Sequence, residues 1–527
     1  MERVLRGTLA RPRIGNLRAV SETVPDPPPP EAARSGALRL VRQSGLYALS
    51  GVALKVGGLL LAPLYLDTAL LPQEQYGQLF LLEVTAQIGV LLGGLGLASG
   101  LLRFLADPAH AEDHAALPAT ALIASGTLAA LVGLGFWALA PLLAPVLLEP
   151  GAAPEAVRWL GVYVALKVTG GVPYAVLRAR ERAGVYALGV AVEMAVLVGA
   201  VWFFLSARGL GLEGVMRAYA LSAGASAVVL GGAVLARSGW RVRARLVRPL
   251  ALYGAPLALG GLGGLMLNAG DRYLLDWLAG DRVLAVYGWA ARVGGILNVL
   301  LVQSLNLAFL AIGLKTLYGA DGNVRDATLH PRVFRHFAAL GGWAALALTL
   351  VTYDGTRLLS SEAAYLGAAP LVLPISLGYV AYGLYFVVVN VLYAAGETRR
   401  ISQGVVGAAV ANAGLNLALI PPFGAMGAAL ATVLAFGGLA VYAERVARRH
   451  APMRYPWGAA LLGAGAAAAL ALAAGPSEAW APGPRLALRA GLLAAYPAVL
   501  VALGVYRPRE VREGARQARA WLDGLWR

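Results

Sequence analysis

Apolar stretches of about 20 residues recur along this chain from Leu46 to Tyr506, and each is long enough to cross a hydrocarbon core of about 30 Å as a helix. Short clusters of Arg, Pro, Gly and acidic residues separate them. Of the 527 residues, 59% are hydrophobic and only 14% are charged, whereas soluble domains carry about 25% charged residues. The pattern excludes a soluble globular protein and predicts an all-α polytopic membrane protein.

The hydropathy pattern predicts about 14 transmembrane helices, which start near Leu46, Gln78, Pro118, Ala156, Gly184, Leu212, Pro249, Val283, Val333, Tyr365, Ile401, Gly424, Pro456 and Arg485. Assigning alternate loops to opposite faces places roughly three quarters of the 44 Lys and Arg on the face of the termini. We therefore expect a multi-pass protein of the inner (cytoplasmic) membrane with both termini cytoplasmic. The basic loops suit contact with an anionic lipid bilayer better than contact with nucleic acid, which we do not expect as a partner.

Two segments outside the spans are predicted to be cytoplasmic tails. Residues 1–44 contain eight Arg and four consecutive prolines, which is typical of a disordered basic tail. Residues 507–527 place apolar and basic side chains on opposite helical faces. This tail is expected either to lie in the membrane interface or to form a solvated helix.

An internal repeat divides the spans. Leu46-Tyr47 opens the first span and Leu252-Tyr253 the seventh, while Gly211-Leu-Glu-Gly-Val215 matches Gly424-Ala-Met-Gly-Ala428 in nearly the same register. The repeat predicts two six-helix bundles, 45–248 and 249–450, followed by two additional helices at 451–506. Because six is even, both bundles enter the membrane in the same sense, so their pseudo-twofold axis runs along the membrane normal. A substrate cavity is expected between them.

Several chemistries are disfavoured by the residues present. The chain has no Cys, which excludes disulfides and thiolate sites, and the five His all fall at the predicted cytoplasmic side. No G-x-x-x-x-G-K-[ST] phosphate loop occurs, so transport without ATP is expected. No cofactor and no metal are predicted, and the coupling ion is left open among a proton, sodium and the membrane potential alone.

Specific motifs resemble a known family. They are Leu71-Pro-Gln-Glu-Gln-Tyr-Gly77, Gly96-Leu-Ala98 with Arg103-Phe104, Asp271-Arg-Tyr-Leu274, Tyr287-Gly-Trp-Ala290, and Asn412, Asn416 and Leu419-Ile-Pro421 before Gly424. The chain resembles the polysaccharide branch of the multidrug/oligosaccharidyl-lipid/polysaccharide (MOP) exporter superfamily. The resemblance implies a flippase of the O-antigen (Wzx-type) or lipid-linked oligosaccharide class, with a cationic cavity.

Charged residues inside spans are candidate functional residues, because burying a charge in a bilayer is costly unless it is paired or wet. Lys55 and Lys167 fall near the midplane of their predicted spans. A cationic cavity, which the resemblance also implies, would comprise Lys55 with Arg292 as its partner, together with Lys167 and, at the cytoplasmic entrance, Arg103. The alternatives are internal salt bridges of Lys55 with Glu83 or Glu193 and of Lys167 with Glu193, and a lipid anchor for Arg103.

Other polar residues have two interpretations each. Glu83 and Glu193 suit either a coupling ion or structural pairing to a lysine. Asp271 and Arg272 suit an outer gate or a helix-end ion pair. Amides within spans suit sugar hydroxyls or, as we favour for most of them, helix packing; these are Asn268, Asn390, Asn412 and Asn416.

The leading hypothesis is a transporter rather than an enzyme: a flippase for an undecaprenyl-diphosphate-linked oligosaccharide, with polysaccharide polymerase machinery as a candidate partner. A multidrug or small-cation antiporter of the same superfamily is the first alternative, although it would favour acidic rather than basic cavity residues. A sugar polymerase or ligase is the second, but these enzymes resemble chains with a large outer loop that this sequence lacks. A scaffolding protein would leave the midplane lysines as an unexplained cost.

Overall fold

The computed structural model describes residues 57–149, 151–317, 328–360 and 362–510, together with residues 46, 50, 513 and 516. This part of the chain is helical and contains no strand. Its α-helices are α1 Ala62–Tyr65, α2 Gln73–Gly94, α3 Leu97–Ala106, α4 Leu117–Leu147, α5 Glu155–Ala179, α6 Ala183–Val201, α7 Gly211–Ser238, α8 Val247–Ala269, α9 Asp271–Ala279, α10 Asp281–Leu297, α11 Gln303–Leu317, α12 Leu329–Leu359, α13 Ala369–Ala394, α14 Thr398–Phe423, α15 Ala425–Ala447, α16 Trp457–Ala474 and α17 Pro482–Ala502.

Thirteen helical stretches in the described residues are long and apolar enough to cross a membrane. The predicted first span lies largely outside those residues, although Leu46, Ser50 and residues 57–60 are helical. Each other predicted start lies within five residues of the start of a described span, and the largest differences are Gln78 against Gln73 and Pro249 against Ala244. The chain is a multi-pass membrane protein of about 14 helices, as predicted.

Packing follows the internal repeat. In the first half α5 is central and packs against α4, α7 and α2; in the second half α13 packs against α12, α15 and α10 in the same way. The pairs α6–α7 and α14–α15 also correspond. Equivalent helices therefore make equivalent contacts in the two bundles.

The second span is interrupted near its end. The helix α2 ends at Gly94, the chain bends, and α3 runs from Leu97 to Ala106. The bend uses Leu95 and Gly96, whose φ angles are +42° and +63°. A Cβ built on Gly96 would lie 2.2 Å from the carbonyl oxygen of Gly254 in α8, so only glycine permits this contact between the halves.

The two additional helices, α16 and α17, pack on α12 of the second half. Arg485 and Arg489 of α17 are nearly fully buried and both pair with Asp354 of α12. Pairing with a carboxylate and with backbone carbonyls allows these guanidinium groups to be buried.

Of the predicted tails, residues 1–44 and most of 507–527 lie outside the described residues. The described start of the second tail contacts α12 through an ion pair of Glu510 with Arg335.

Candidate substrate cavity

A cavity of about 810 Å³ lies between the two halves. Its walls are formed by α2, α5, α6 and α7 of the first half and by α9, α10, α13 and the segment after α10 in the second. This volume falls within the range of about 300–1,000 Å³ that is usual for small-ligand pockets. The predicted central cavity is therefore present.

One face of α2 supplies much of the wall. Phe80, Glu83, Gln87 and Leu91 follow one another at intervals of three or four residues, which places them on the same side of the helix. A single helix thus presents an aromatic ring, a carboxylate and an amide to the cavity.

Arg292 of α10 and Glu83 of α2 form an ion pair with Nη2 and Oε1 3.0 Å apart. The side chains are 14% and 22% exposed. Glu83 also accepts a 2.8 Å hydrogen bond from the hydroxyl of Tyr219. The pair joins the two halves across the cavity wall.

Lys167 of α5 pairs with Glu193 of α6, within the first half. Glu193 also accepts hydrogen bonds from Ser226 Oγ at 3.1 Å and from the Tyr174 hydroxyl at 3.4 Å. The salt bridge foreseen for Lys167 as an alternative is therefore present, at the cavity wall. Lys55, the first candidate, lies outside the described residues.

Arg272 of α9 lines the same cavity, with its guanidinium carbon 5.6 Å from the centre of the Phe80 ring. Among the described residues no carboxylate forms an ion pair with it, and Asp271 instead accepts a hydrogen bond from Tyr287. The predicted helix-end pair of Asp271 with Arg272 is thus not formed. With three cationic and two anionic side chains, the described lining carries one net positive charge.

Contacts between the two halves lie before and after the cavity residues of α2. The charged seam, formed by Gln73, Glu74, Gly77 and Gln78 against Asp281 and Arg282, precedes the cavity residues of α2. The glycine seam, formed by Gly96 and Gly100 against Leu250 and Gly254, follows them. Both seams join the first half to the second, so the cavity, called the chamber below, lies between two contacts of the halves.

Four predicted amide contacts do not line the cavity, namely Asn268, Asn390, Asn412 and Asn416. Asn268 donates to the Gly264 carbonyl at 2.8 Å, and Asn390 donates to the Phe309 carbonyl at 3.4 Å. Asn416 bonds to the Asn412 carbonyl one turn earlier. These contacts fit the packing interpretation, since each bonds within or between packed helices.

Arg103 and Asp271 also lie away from the cavity lining. Arg103 lies in the last turn of α3, with its side chain 53% exposed, and pairs with Asp107 at 3.1 Å. The Ala109 amide and the Arg103 guanidinium hold the pKa of Asp107 below its usual range. Asp271 is 6% exposed, and burial raises its pKa.

The sequence analysis missed the aromatic wall of the cavity, which consists of Tyr163, Tyr174, Tyr219 and Tyr379. A signal was available for two of them. Tyr163 and Tyr174 stand four residues before and seven after Lys167, so they share its helical face.

Comparisons with known proteins agree with this architecture. The family model described as "Polysaccharide biosynthesis protein" matches residues 40–310, about half of the chain. A search of curated proteins found no match.

Several solved structures share the fold. "Lipid II flippase MurJ, inward closed conformation" superposes with a TM-score of 0.69 at 9% identity, over 88% of this chain and 100% of that one. An inward-facing multidrug resistance MATE family transporter of the MOP superfamily gives a TM-score of 0.59 at 14% identity, over 76% and 97%. A MOP superfamily transporter from Pyrococcus furiosus, described by the reverse polarity of its binding pocket, gives 0.55 at 14% identity, over 77% and 95%. The chain therefore belongs to the polysaccharide biosynthesis protein family, in the polysaccharide branch of the MOP exporter superfamily.

Proposed function

We propose that this transporter moves an undecaprenyl-diphosphate-linked oligosaccharide from the cytoplasmic to the outer leaflet of the inner membrane by alternating access. The observation that carries the proposal is the net positive chamber between two bundles that contact each other at a seam on either side of it. The charged seam would face the outside and the glycine seam the cytoplasm.

The chemistry of such a substrate suits this lining. A lipid diphosphate carries about two or more negative charges, and guanidinium groups recognise phosphate through paired, charge-assisted hydrogen bonds. Arg292 and Arg272 lie beside the same Phe80 ring, 5.0 and 5.6 Å from its centre. The tyrosines that line the cavity offer rings and hydroxyls to sugars.

A multidrug or small-cation antiporter is the alternative within the fold. Its cationic substrates would need free carboxylates, whereas Glu83 and Glu193 are both occupied by cations. The Pyrococcus furiosus transporter is described as having a pocket polarity that suggests a different function. By the same logic, the positive lining here favours an anionic substrate.

The proposal places the chain in O-antigen, lipopolysaccharide or a related polysaccharide assembly. A polymerase that consumes the flipped lipid-linked sugar is the expected partner.

The test is a flipping assay in proteoliposomes with a fluorescent undecaprenyl-diphosphate oligosaccharide, scored by loss of protection from an external quencher. Arg292→Ala is expected to lower the initial rate about tenfold or more, which corresponds to a loss of about 1.4 kcal/mol or more of stabilisation. Lys55→Ala, the first sequence candidate, is measured beside it. Arg400→Ala, a change at an exposed helix-start residue, is the matched control and should leave the rate near that of the wild type.

A cationic dye is assayed in parallel with the lipid. Dye movement without lipid movement would overturn the proposal in favour of the antiporter. Lipid movement that is equally fast in Arg292→Ala and Arg400→Ala would remove Arg292 from the substrate site.

A further inference from the structure

The Arg292–Glu83 pair differs from the other ion pair of the cavity. Lys167 and Glu193 both belong to the first half, whereas Glu83 lies in α2 of the first half and Arg292 in α10 of the second. A ligand that binds Arg292 must therefore compete with the carboxylate of Glu83, which comes from the other half of the molecule.

The pair is held from several sides. The guanidinium lies over the Phe80 and Tyr65 rings at 5.0 and 5.8 Å from their centres. Its Nη1 lies 2.7 Å from the position a Cβ would take on Gly58, so this glycine leaves it room. The Tyr219 hydroxyl fixes Glu83 at 2.8 Å. An incoming anion must displace an ordered partner, because the guanidinium has little freedom to swing toward an anion elsewhere.

We propose that Glu83 is a specificity residue: an internal competitor that lets the cavity accept a diphosphate and discriminate against headgroups with a single negative charge. The inference rests on the proposed function and deepens it. In this proposal the cations of the cavity attract the anionic headgroup, whereas Glu83 opposes its binding.

The argument is one of charge exchange. A singly charged headgroup that takes the place of Glu83 replaces one anion by another and leaves a half-buried carboxylate without its cation, which is costly. A diphosphate has more charge to offer. It can bond Arg292 with one phosphate and approach Arg272, which has no ion-pair partner among the described residues, with the other. Selectivity commonly comes from a group that repels the wrong ligand, when only the right ligand binds strongly enough to overcome that repulsion.

The test compares binding of farnesyl diphosphate and farnesyl monophosphate to the purified full-length protein in detergent, by displacement of a fluorescent isoprenyl diphosphate. Binding is measured at about pH 5, where the monophosphate carries about one negative charge because the second pKa of such a group is about 6. The wild type should prefer the diphosphate. Glu83→Gln should bind the monophosphate about tenfold more tightly than the wild type does, which corresponds to about 1.4 kcal/mol. The preference for the diphosphate, expressed as the ratio of the two affinities, should therefore narrow toward one.

Glu193→Gln is the matched control, since it removes the same charge from the same cavity but faces Lys167. Its affinity ratio should stay closer to that of the wild type. Equal narrowing in both variants would overturn the inference, because net charge alone would then set the preference. An unchanged ratio in Glu83→Gln would also overturn it.

Tyr219→Phe provides a second route if Glu83→Gln does not fold. It keeps both charges and removes the hydroxyl that fixes Glu83, so it should narrow the ratio in the same direction and by less. An unchanged ratio in that variant would then count against the inference. If the wild type binds neither farnesyl diphosphate nor farnesyl monophosphate, the proposed function itself is contradicted. If the wild type prefers the diphosphate and Glu83→Gln keeps that preference, only the role of Glu83 is contradicted.

Discussion

The charged seam and the glycine seam both join α2 and α3 to the second half, yet they are built from different contacts. At the charged seam Gln78 Nε2 donates to Asp281 Oδ2 at 3.0 Å, Gln73 Nε2 donates to the Arg282 carbonyl at 3.2 Å, and Glu74 pairs with Arg282. At the glycine seam the contacts are between backbones. A Cβ on Gly254 would lie 2.3 Å from the Gly96 carbonyl oxygen.

The difference teaches how each end of the chamber can respond. Polar side chains can exchange their partners for water, so a seam made of them is sensitive to charge and pH. A backbone contact between glycines depends on shape, because any added side-chain atom occupies the space of the facing helix. Steric changes should therefore act most strongly at the glycine seam, and titration should act only at the charged seam.

The largest effect is expected from Gly96→Ala. The new Cβ would lie 2.2 Å from the Gly254 carbonyl oxygen, and the φ of +63° is unfavourable for an L side chain, so the glycine seam cannot close as it does here. A single Cys at Val90, which lines the cavity, reports opening because the chain has no Cys of its own. Its labelling by an impermeant maleimide from the glycine-seam face should rise several-fold.

Gly94→Ala is the matched control for this change. Gly94 lies two residues earlier on the same segment, and a Cβ there would meet no atom within 4 Å. Labelling that rises equally in both variants would show that the helix bend, rather than contact between the halves, controls access.

Gly77→Ala should open the chamber at the charged seam instead, with a smaller effect than Gly96→Ala has at the glycine seam. Its Cβ would lie 2.2 Å from the Asp281 carbonyl oxygen, but the φ at this helical position is ordinary. The clash should loosen the charged seam and raise labelling of the Val90 Cys from the opposite face. A rise from the glycine-seam face instead would contradict the assignment of the two seams to opposite ends.

How much of the fold and of the cavity could be predicted from the sequence depends on how far apart in the chain the interacting residues lie. The spans and the repeat were predictable because apolar length and period are local properties of the chain. The Lys167–Glu193 pair was foreseen as an alternative because the two residues lie at similar depth on consecutive helices. Lys55 as the main cavity cation stays a prediction.

The contacts between the halves were not predictable in the same way. The carboxylate of Glu83 was considered as a partner of Lys55 and is held by Arg292, 209 residues away. Arg272 was considered for an outer gate or a helix-end ion pair, and it lines the cavity. Both outcomes depend on how one bundle docks on the other, which no local pattern encodes. The break at Leu95-Gly96 was missed for the same reason, since the neighbouring backbone at Gly254 explains it.

The smallest and most specific effect should come from pH at the charged seam, where Asp276 of α9 bonds to Asp281 at the start of α10. Burial, together with the hydrogen bond and charge of Asp281, raises the pKa of Asp276 from 3.8 to about 7. Glu74 and Arg282 are the other charged groups of this seam. Because the closed seam holds this proton more tightly than an opened, hydrated one, Asp276 stabilises closure most below its ordinary pKa.

That stability should be lost as pH rises toward 7, and labelling of the Val90 Cys from the charged-seam face should therefore increase between about pH 4 and pH 7 and then level off. Asp276→Asn should abolish this rise, because an amide stays neutral throughout the range. The glycine seam contains no titrating group among its four residues, so labelling from its face should not follow the same curve. A pH response of equal size at both faces would mean that the seams do not open independently, and the contrast between a titrating seam and a steric one would then not describe how the chamber is gated.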